Sequence, residues 1–140
     1  TSKAQAFMDI SNPIDLYFEN TVKPDLENLP ASLQLNRFFY HQAHFMIKYA
    51  LENNPSDTSY IVIGDSSHFF SNDRLTFKIL SEIISDDSLY VEWKKKYSIE
   101  DITNHLLYLS RGIVIHWVGH KYEYDLAEIM WKNVLMTNPF

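Results

Sequence analysis

The sequence predicts an all-α protein, a helical bundle of about seven helices in a single domain over residues 1–140. Three observations support this. Apolar residues recur at intervals of three and four along several long stretches, and helix-capping residues precede those stretches. Only residues 60–64 form a β-branched run that could be a buried strand. A lone strand has nothing to pair with, so we expect a helix there as well.

The composition is that of an ordinary globular chain, with 46% hydrophobic and 21% charged residues. The net charge of −6 argues against the chain holding nucleic acid by itself, because phosphate binding needs a basic face. Cysteine is absent, which excludes disulfides and thiolate metal sites. No apolar run approaches the roughly 18 residues of a membrane span, and the start does not resemble a signal peptide. We therefore expect a cytoplasmic protein with no membrane partner.

The first half of the chain predicts a short helix and a long one. Asn12 and Pro13 are a start signal, and Pro24 is expected to kink or end the short helix. The long pattern runs over residues 31–53. Its apolar side is expected to contain Leu35, Phe38, Phe39, Met46, Tyr49 and Ala50. Its polar side is expected to contain Arg37, His41, His44, Lys48 and Glu52.

The middle of the chain predicts a helix that is broken or bent between about Gly64 and Asn72. A further helix follows, with capping residues at 71–73. Its core positions are Leu75, Phe77, Ile79, Leu80, Ile83 and Ile84. Residues 85–88 interrupt it, and an amphipathic turn that contains Trp93 continues the chain.

The last forty-odd residues predict two long helices. Ser98 is expected to be the N-cap of the first, with Asp101 as its capping-box partner. Gly119 is expected to end that helix in a conformation with positive φ. Asp125 is expected to cap the second helix, which is apolar nearly all round. Such a helix has more surface to bury than one neighbour normally covers, and this indicates a subunit interface.

Gly112 in the middle of the first of these helices supports an interface. A helical glycine costs about 0.5–1 kcal/mol relative to alanine and is typical of a close approach by another backbone. The alternative is a packing glycine within one subunit. Two copies of the helical pair, related by a two-fold axis, would form a four-helix bundle. The expected interface residues are Leu106, Leu109, Gly112, Ile113, His116, Trp117, Leu126, Ile129, Met130 and Val134.

The same stretch resembles a known family. The run 110–117, the loop with Gly119, and the restart Tyr124-Asp125-Leu126 are similar to the last two helices of the regulatory domain of TetR-family transcriptional regulators. The resemblance implies a homodimer whose interface is those helices. It also implies a DNA-binding helix-turn-helix module that is missing from this chain and would precede it, so that operator DNA is bound only through that module.

A TetR-like regulator would also respond to a small apolar or aromatic effector in a pocket between its central helices. The sequence has nine Phe, nine Tyr and three Trp, enough to line such a cavity. Aromatic side chains filling an ordinary helical core are the alternative. The expected ligand-binding residues are Phe38, Phe45, Tyr49, His68, Phe69, Phe70 and Phe77.

No catalytic or metal constellation is predicted, and no cofactor. His41 and His44 are three apart, but Arg37 and Lys48 lie on the same side and would repel a cation. His116 and His120 are four apart as in zinc hydrolases, but Trp117 stands where the general-base glutamate belongs, and Gly119 is expected to end the helix between them. The alternatives to a regulator are a stand-alone dimeric interaction module and, less favoured, a small helical enzyme.

Overall fold

The structure, a computed structural model, describes residues 14–53 and 74–137. All regular secondary structure in these residues is helical, as predicted. The helices they form are α1 (residues 14–26), α2 (Ala31–Glu52), α3 (Leu75–Ile84), α4 (Val91–Lys94), α5 (Ile99–Gly119) and α6 (Leu126–Thr137). The predictions for residues 1–13, 54–73 and 138–140 lie outside the described residues.

The first helix, α1, continues past Pro24. It is π-helical over Phe18–Val22 and α-helical over Lys23–Leu26. Proline has no N–H group to donate, and its ring crowds the carbonyl group four residues earlier. The wider π-turn directly before Pro24 accommodates this, and the Lys23 N–H group donates to the Phe18 carbonyl oxygen. The helix therefore changes type at the proline and ends two residues later.

The long helix α2 is central, because it packs against α6, α3, α1 and α5. Phe38 and Phe39 are almost fully buried, and their ring centroids lie 5.1 Å apart in an edge-to-face arrangement. Phe18 of α1 packs on Phe38 with a centroid distance of 5.4 Å. Burial of each such side chain stabilises the fold by roughly 1.5–3 kcal/mol. The buried residues of α2 are Leu35, Phe38, Phe39, His41, Ala43 and Met46.

His41 is the one polar residue in that buried set, although it belongs to the predicted polar side of the helix together with Arg37. Its Nε2 atom lies 2.7 Å from Asp25 Oδ2, and its Nδ1 atom lies 3.1 Å from the Tyr17 hydroxyl. A carboxylate only accepts, so Nε2 carries the proton and donates to Asp25. Arg37 Nε donates to the same carboxylate oxygen at 3.1 Å. These contacts fix α1 against one edge of α2, so that α1 covers His41.

Tyr17, His41 and Asp25 form a hydroxyl–imidazole–carboxylate chain like that of a nucleophilic triad. The pKa of the hydroxyl, however, is shifted in the wrong direction for a nucleophile. Burial raises the pKa of the Tyr17 hydroxyl, with smaller contributions from Tyr40 and Asp25. An activated nucleophile needs the opposite shift. We therefore interpret the network as a structural connection between α1 and α2.

The turn between α3 and α4 depends on a strained residue. Tyr90 has φ 50° and ψ 41°, the left-handed region that non-glycine residues seldom adopt. Its side chain is fully buried and stacks on Trp93 with a centroid distance of 5.1 Å. Burial of the aromatic ring offsets the cost of the backbone conformation. The interruption predicted at residues 85–88 is confirmed, since α3 ends at Ile84 and α4 begins at Val91.

Both predicted caps of the closing helices are confirmed. The Asp101 N–H group donates to Ser98 Oγ at 3.0 Å, and the Ala127 N–H group donates to Asp125 Oδ1 at 3.1 Å. Each side chain satisfies a backbone donor that has no partner inside its helix. A single capping residue in the sequence therefore correctly predicts where each of the two helices begins.

The prediction that Gly119 ends the helix is confirmed, since it is the last helical residue, but the positive φ predicted for it is wrong. The left-handed residues are Lys121 and Tyr122, with φ 55° and 61°. The Tyr122 N–H group donates to the Trp117 carbonyl oxygen at 3.1 Å and closes the end of α5. The glycine is thus a helix residue, and two side-chain-bearing residues make the turn.

The last helix, α6, packs mainly on α2 and also on α5. Leu126, Met130 and Val134 face inward and are at most 1% exposed. Within the described ranges, no helix is long and apolar enough to cross a membrane.

The Ser98 cap predicts a measurable loss. Ser98→Ala should lower the free energy of unfolding by about 1 kcal/mol, because the Asp101 N–H group loses its acceptor. Urea denaturation measures this change. Ser81→Ala is the matched control, since the Ser81 hydroxyl donates back to the Lys78 carbonyl within α3 and alanine is a better helix former. An equal loss in both variants would contradict the capping role.

The Asp25 network predicts a dependence of stability on pH. The hydrogen bond from Arg37, and then that from His41, lowers the pKa of Asp25 below its ordinary 3.8. The folded chain therefore binds this proton less readily than the unfolded chain. The stabilisation is present above the ordinary carboxyl pKa and is lost as the pH falls through the lower, folded-state pKa.

Urea unfolding from about pH 5 to about pH 2 should thus show a smaller loss of stability for Asp25→Asn than for the wild type. At pH 7 the variant should be the less stable of the two. Asp87→Asn changes an exposed carboxylate between α3 and α4 and is the control. Parallel curves for the wild type and Asp25→Asn would contradict the assignment.

Candidate functional site

The predicted ligand-binding aromatics occupy different environments. Phe38 is fully buried in the core. Phe45 and Tyr49 are half-buried on α2, with their rings stacked at a centroid distance of 6.3 Å, and Phe77 is half-buried on α3. His68, Phe69 and Phe70 lie outside the described residues. Among the described members, Phe45 is the residue that borders an internal cavity.

That cavity has a volume of about 30 Å³ and lies between α1, α2, the start of α3 and α5. Its walls combine six apolar side chains with four polar ones, of which Thr76 is one. The apolar residues are Ile14, Phe18, Phe45, Met46, Leu107 and Val114. The polar groups that matter most are Gln42, Arg74 and Arg111. Apolar walls with a few converging polar groups are typical of a small-molecule site.

The polar wall of the cavity is positively charged. Arg74 is buried and its Nη2 atom lies 3.5 Å from Asp15 Oδ1. Burial lowers the pKa of Arg111 to about 10, and the like charge of Arg74 contributes to the shift. Gln42 Oε1 is buried without a hydrogen-bond donor in the described part of the chain. A volume of 30 Å³ holds about one water molecule, so a larger ligand requires the walls to move apart.

Sequence reasoning missed both arginines. Arg111 lies on the same line of α5 as Leu107 and Val114, at spacings of four and three, so a cation within an apolar stripe was a usable signal. Arg74 gave no such signal, because Asp15 is 59 residues away in sequence.

A second concave surface lies on the outside, where α4 meets the start of α5. Its volume is about 480 Å³, and it is lined by Trp93, Tyr97, Asp101, Ile102 and His105. Tyr97, Asp101 and His105 are exposed, so the groove is open to solvent along much of its length. It is large enough for a ligand but encloses little of one, and the sequence did not predict it.

The ten predicted interface residues divide into two groups. Five are buried within a single chain: Leu106, Trp117, Leu126, Met130 and Val134. The others remain accessible: Leu109, Ile113 and Ile129 are half-buried, and Gly112 and His116 are exposed. Only the second group is available to another molecule without rearrangement.

Four of the accessible residues form one stripe along α5. Leu109, Gly112, Ile113 and His116 are spaced by three, four and seven, which places them on the same side of the helix. A Cβ atom built on Gly112 would meet no side chain and no other helix within 4 Å among the described residues. Contacts within this part of the chain therefore do not explain the glycine. On α6, Ile129 and the 75%-exposed Met136 are seven residues apart on one side.

The end of the stripe carries two histidines. The helix ends at Gly119, between the two histidines, as predicted, but His120 is the C-cap residue directly after it and its ring still lies beside that of His116. Their ring centroids lie 3.9 Å apart at an interplanar angle of 23°. His116 Nδ1 lies 2.8 Å from the Tyr124 hydroxyl, which ties α5 to the loop before α6.

Comparisons of the chain with protein-family models, with curated proteins and with solved structures give no match. The family resemblance thus rests on the residues of the closing helices, and the site stands on its own geometry.

Proposed function

We propose that this chain is the effector-sensing and dimerisation domain of a TetR-like transcriptional regulator, with DNA binding in a module outside it. The observation that carries the proposal is the exposed stripe on α5 with Gly112 at its centre. A glycine inside a long helix lowers helix stability by roughly 1 kcal/mol, and no neighbour in the described chain requires it. A second copy that brings its backbone close to Gly112 accounts for it.

The proposed interface uses the outer side of the α5–α6 pair. The stripe Leu109, Gly112, Ile113 and His116 supplies the α5 part. Ile129 and Met136 supply the α6 part, and Met136 is among the most exposed apolar side chains in the described chain. Two such surfaces related by a two-fold axis form a four-helix bundle. The buried residues Leu126, Met130 and Val134 then support the interface from behind.

The proposed effector site is the internal cavity beside Phe45. This cavity is more enclosed than the outer groove, and α5 forms one of its walls. The positive groups of Arg74 and Arg111 and the buried Gln42 oxygen give it polar contacts, and its other walls are apolar except for Thr76. A small molecule with an apolar body that enters here has to displace α5 relative to α2.

Such a displacement provides the regulatory step. Because α5 contributes to both cavity and interface, a ligand that prefers one position of α5 changes the arrangement of the two subunits. Operator half-sites are spaced by the turn of the DNA helix, so a few ångströms at the DNA-binding modules alter affinity.

The interface predicts a change of mass in solution. Gly112→Leu should convert a wild-type dimer into a monomer, because a side chain now separates the two backbones, and Met136→Arg should do the same by placing a charge in the interface. Light scattering measures the mass. Neither position is buried in one chain, so circular dichroism should show unchanged helix content.

Leu16→Arg is the matched control, because Leu16 is an exposed apolar residue on α1, outside the α5–α6 pair. That variant should remain dimeric. A monomeric wild type, or a dimer that survives both interface changes, would contradict the proposed interface.

The effector site predicts selective loss of ligand binding. The probe is 1-anilinonaphthalene-8-sulfonate, an aromatic anion whose fluorescence rises in apolar surroundings. Thr76→Phe places a ring into the cavity and should weaken binding roughly tenfold, equivalent to about 1.4 kcal/mol. Tyr97→Ala alters the outer groove and should leave it unchanged. The reverse pattern would place the ligand in the groove and contradict the internal site.

A further inference from the structure

We propose that His116 and His120 bind one divalent transition-metal ion, such as Cu²⁺, Ni²⁺ or Zn²⁺, at the C-terminal end of α5. The proposal goes beyond the regulator function, and both ligands come from one chain. His116 is the last residue of the interface stripe and His120 lies beyond it, so the ion would lie at the end of the proposed interface. The two imidazoles are one helical turn apart and stack with centroids 3.9 Å from each other. Both residues are exposed, so an ion and its water ligands can reach them.

The hydrogen bonds leave the correct nitrogen available on each ring. His120 Nδ1 lies 2.9 Å from the His116 carbonyl oxygen, which only accepts. His120 Nδ1 therefore carries the proton, and Nε2 has the lone pair that binds a metal. His116 Nδ1 contacts the Tyr124 hydroxyl, which accepts when Nδ1 is protonated. Metal-binding histidines commonly donate their second N–H group to an oxygen in this way.

The spacing of the rings and the helix end both favour a cation. Two metal–nitrogen bonds of about 2.0–2.1 Å place their nitrogens roughly 3–3.5 Å apart. The ring centroids lie 3.9 Å apart in a near-parallel stack, and the imidazole lone pairs lie in the ring planes, so both rings have to turn out of the stack to bind one ion. The negative end of the α5 dipole favours a positive ion. Lys121 follows directly in sequence and opposes it. These two opposing electrostatic effects predict modest affinity for the ion. Water fills the coordination positions that the two histidines leave open.

The other close histidine pair of the described chain cannot act in this way. Both nitrogens of His41 are engaged, Nε2 with Asp25 and Nδ1 with Tyr17, and the residue is buried. His44 is exposed three residues later, with its ring centroid 4.1 Å from that of Tyr40. His44 therefore offers a matched control for a surface histidine outside the proposed site.

Isothermal titration calorimetry of the whole chain with CuCl₂, NiCl₂ and MgCl₂ tests the proposal. We expect one equivalent of Cu²⁺, weaker binding of Ni²⁺ and none of Mg²⁺, in the order that imidazole ligands give. His116→Ala and His120→Ala should each weaken Cu²⁺ binding by about tenfold or more. Tyr124→Phe removes the oxygen that orients His116 and should weaken it by up to roughly tenfold. His44→Ala should have no effect.

Circular dichroism on each variant confirms that the helices are intact, as expected for exposed side chains. Absence of Cu²⁺ binding by the wild type would overturn the proposal. Undiminished binding by the His116→Ala/His120→Ala double variant would also overturn it, since the ion would then be held elsewhere.

Discussion

Burial of one side of α2 is the constraint on which the rest of the structure depends. Phe38 and Phe39 are 0% and 1% exposed, and α2 is packed by α1 and α6, which come from opposite ends of the described chain. Because α6 turns Leu126, Met130 and Val134 toward this core, its remaining sides must face outward. The position of the outer α5–α6 surface is thus a consequence of what α2 requires.

Polar contacts then fix details that apolar burial leaves open. Asp25 receives hydrogen bonds from His41 and Arg37, so α1 has one register against α2. The contact between Arg74 and Asp15 connects the start of α3 to α1 beside the cavity. At the other end of the molecule, Trp117 Nε1 donates to the Tyr124 carbonyl oxygen and holds the loop between α5 and α6. The cavity and the histidine pair both lie next to such contacts.

Local chemistry made much of the fold predictable. Ser98 and Asp125 marked helix starts correctly because capping involves residues two or three positions apart. Spacing predicted most of the buried positions of α2 but missed Ala43 and His41. The partners of His41 are 16 and 24 residues away in sequence. The positive φ predicted for Gly119 was wrong, because a glycine near a helix end can be the last helical residue as well as the left-handed residue after it. In this turn Lys121 and Tyr122 are left-handed instead.

The candidate site was less accessible to the same reasoning. Aromatic density could not separate Phe38, which fills the core, from Phe45, which borders the cavity. Likewise, a helix that is apolar nearly all round, such as α6, does not reveal which side its own chain covers. Spacing placed the residues around Gly112 on the predicted interface but did not separate them from Leu106 and Trp117, which the chain itself buries. The arginines of the cavity come together only through tertiary structure.

The central claim is that two copies of the chain meet across the stripe at Gly112. The chain has no cysteine, so Ile115→Cys, an exposed position on α5 beside the stripe and outside the proposed contact, can be labelled at a single site with a nitroxide. Double electron–electron resonance then measures the distance between the two labels of a dimer. Helices in a four-helix bundle lie about 8–10 Å apart, so the account predicts a label separation of roughly 15–30 Å. A longer separation, or no dipolar signal at a concentration where the labelled chain is dimeric by light scattering, would contradict it.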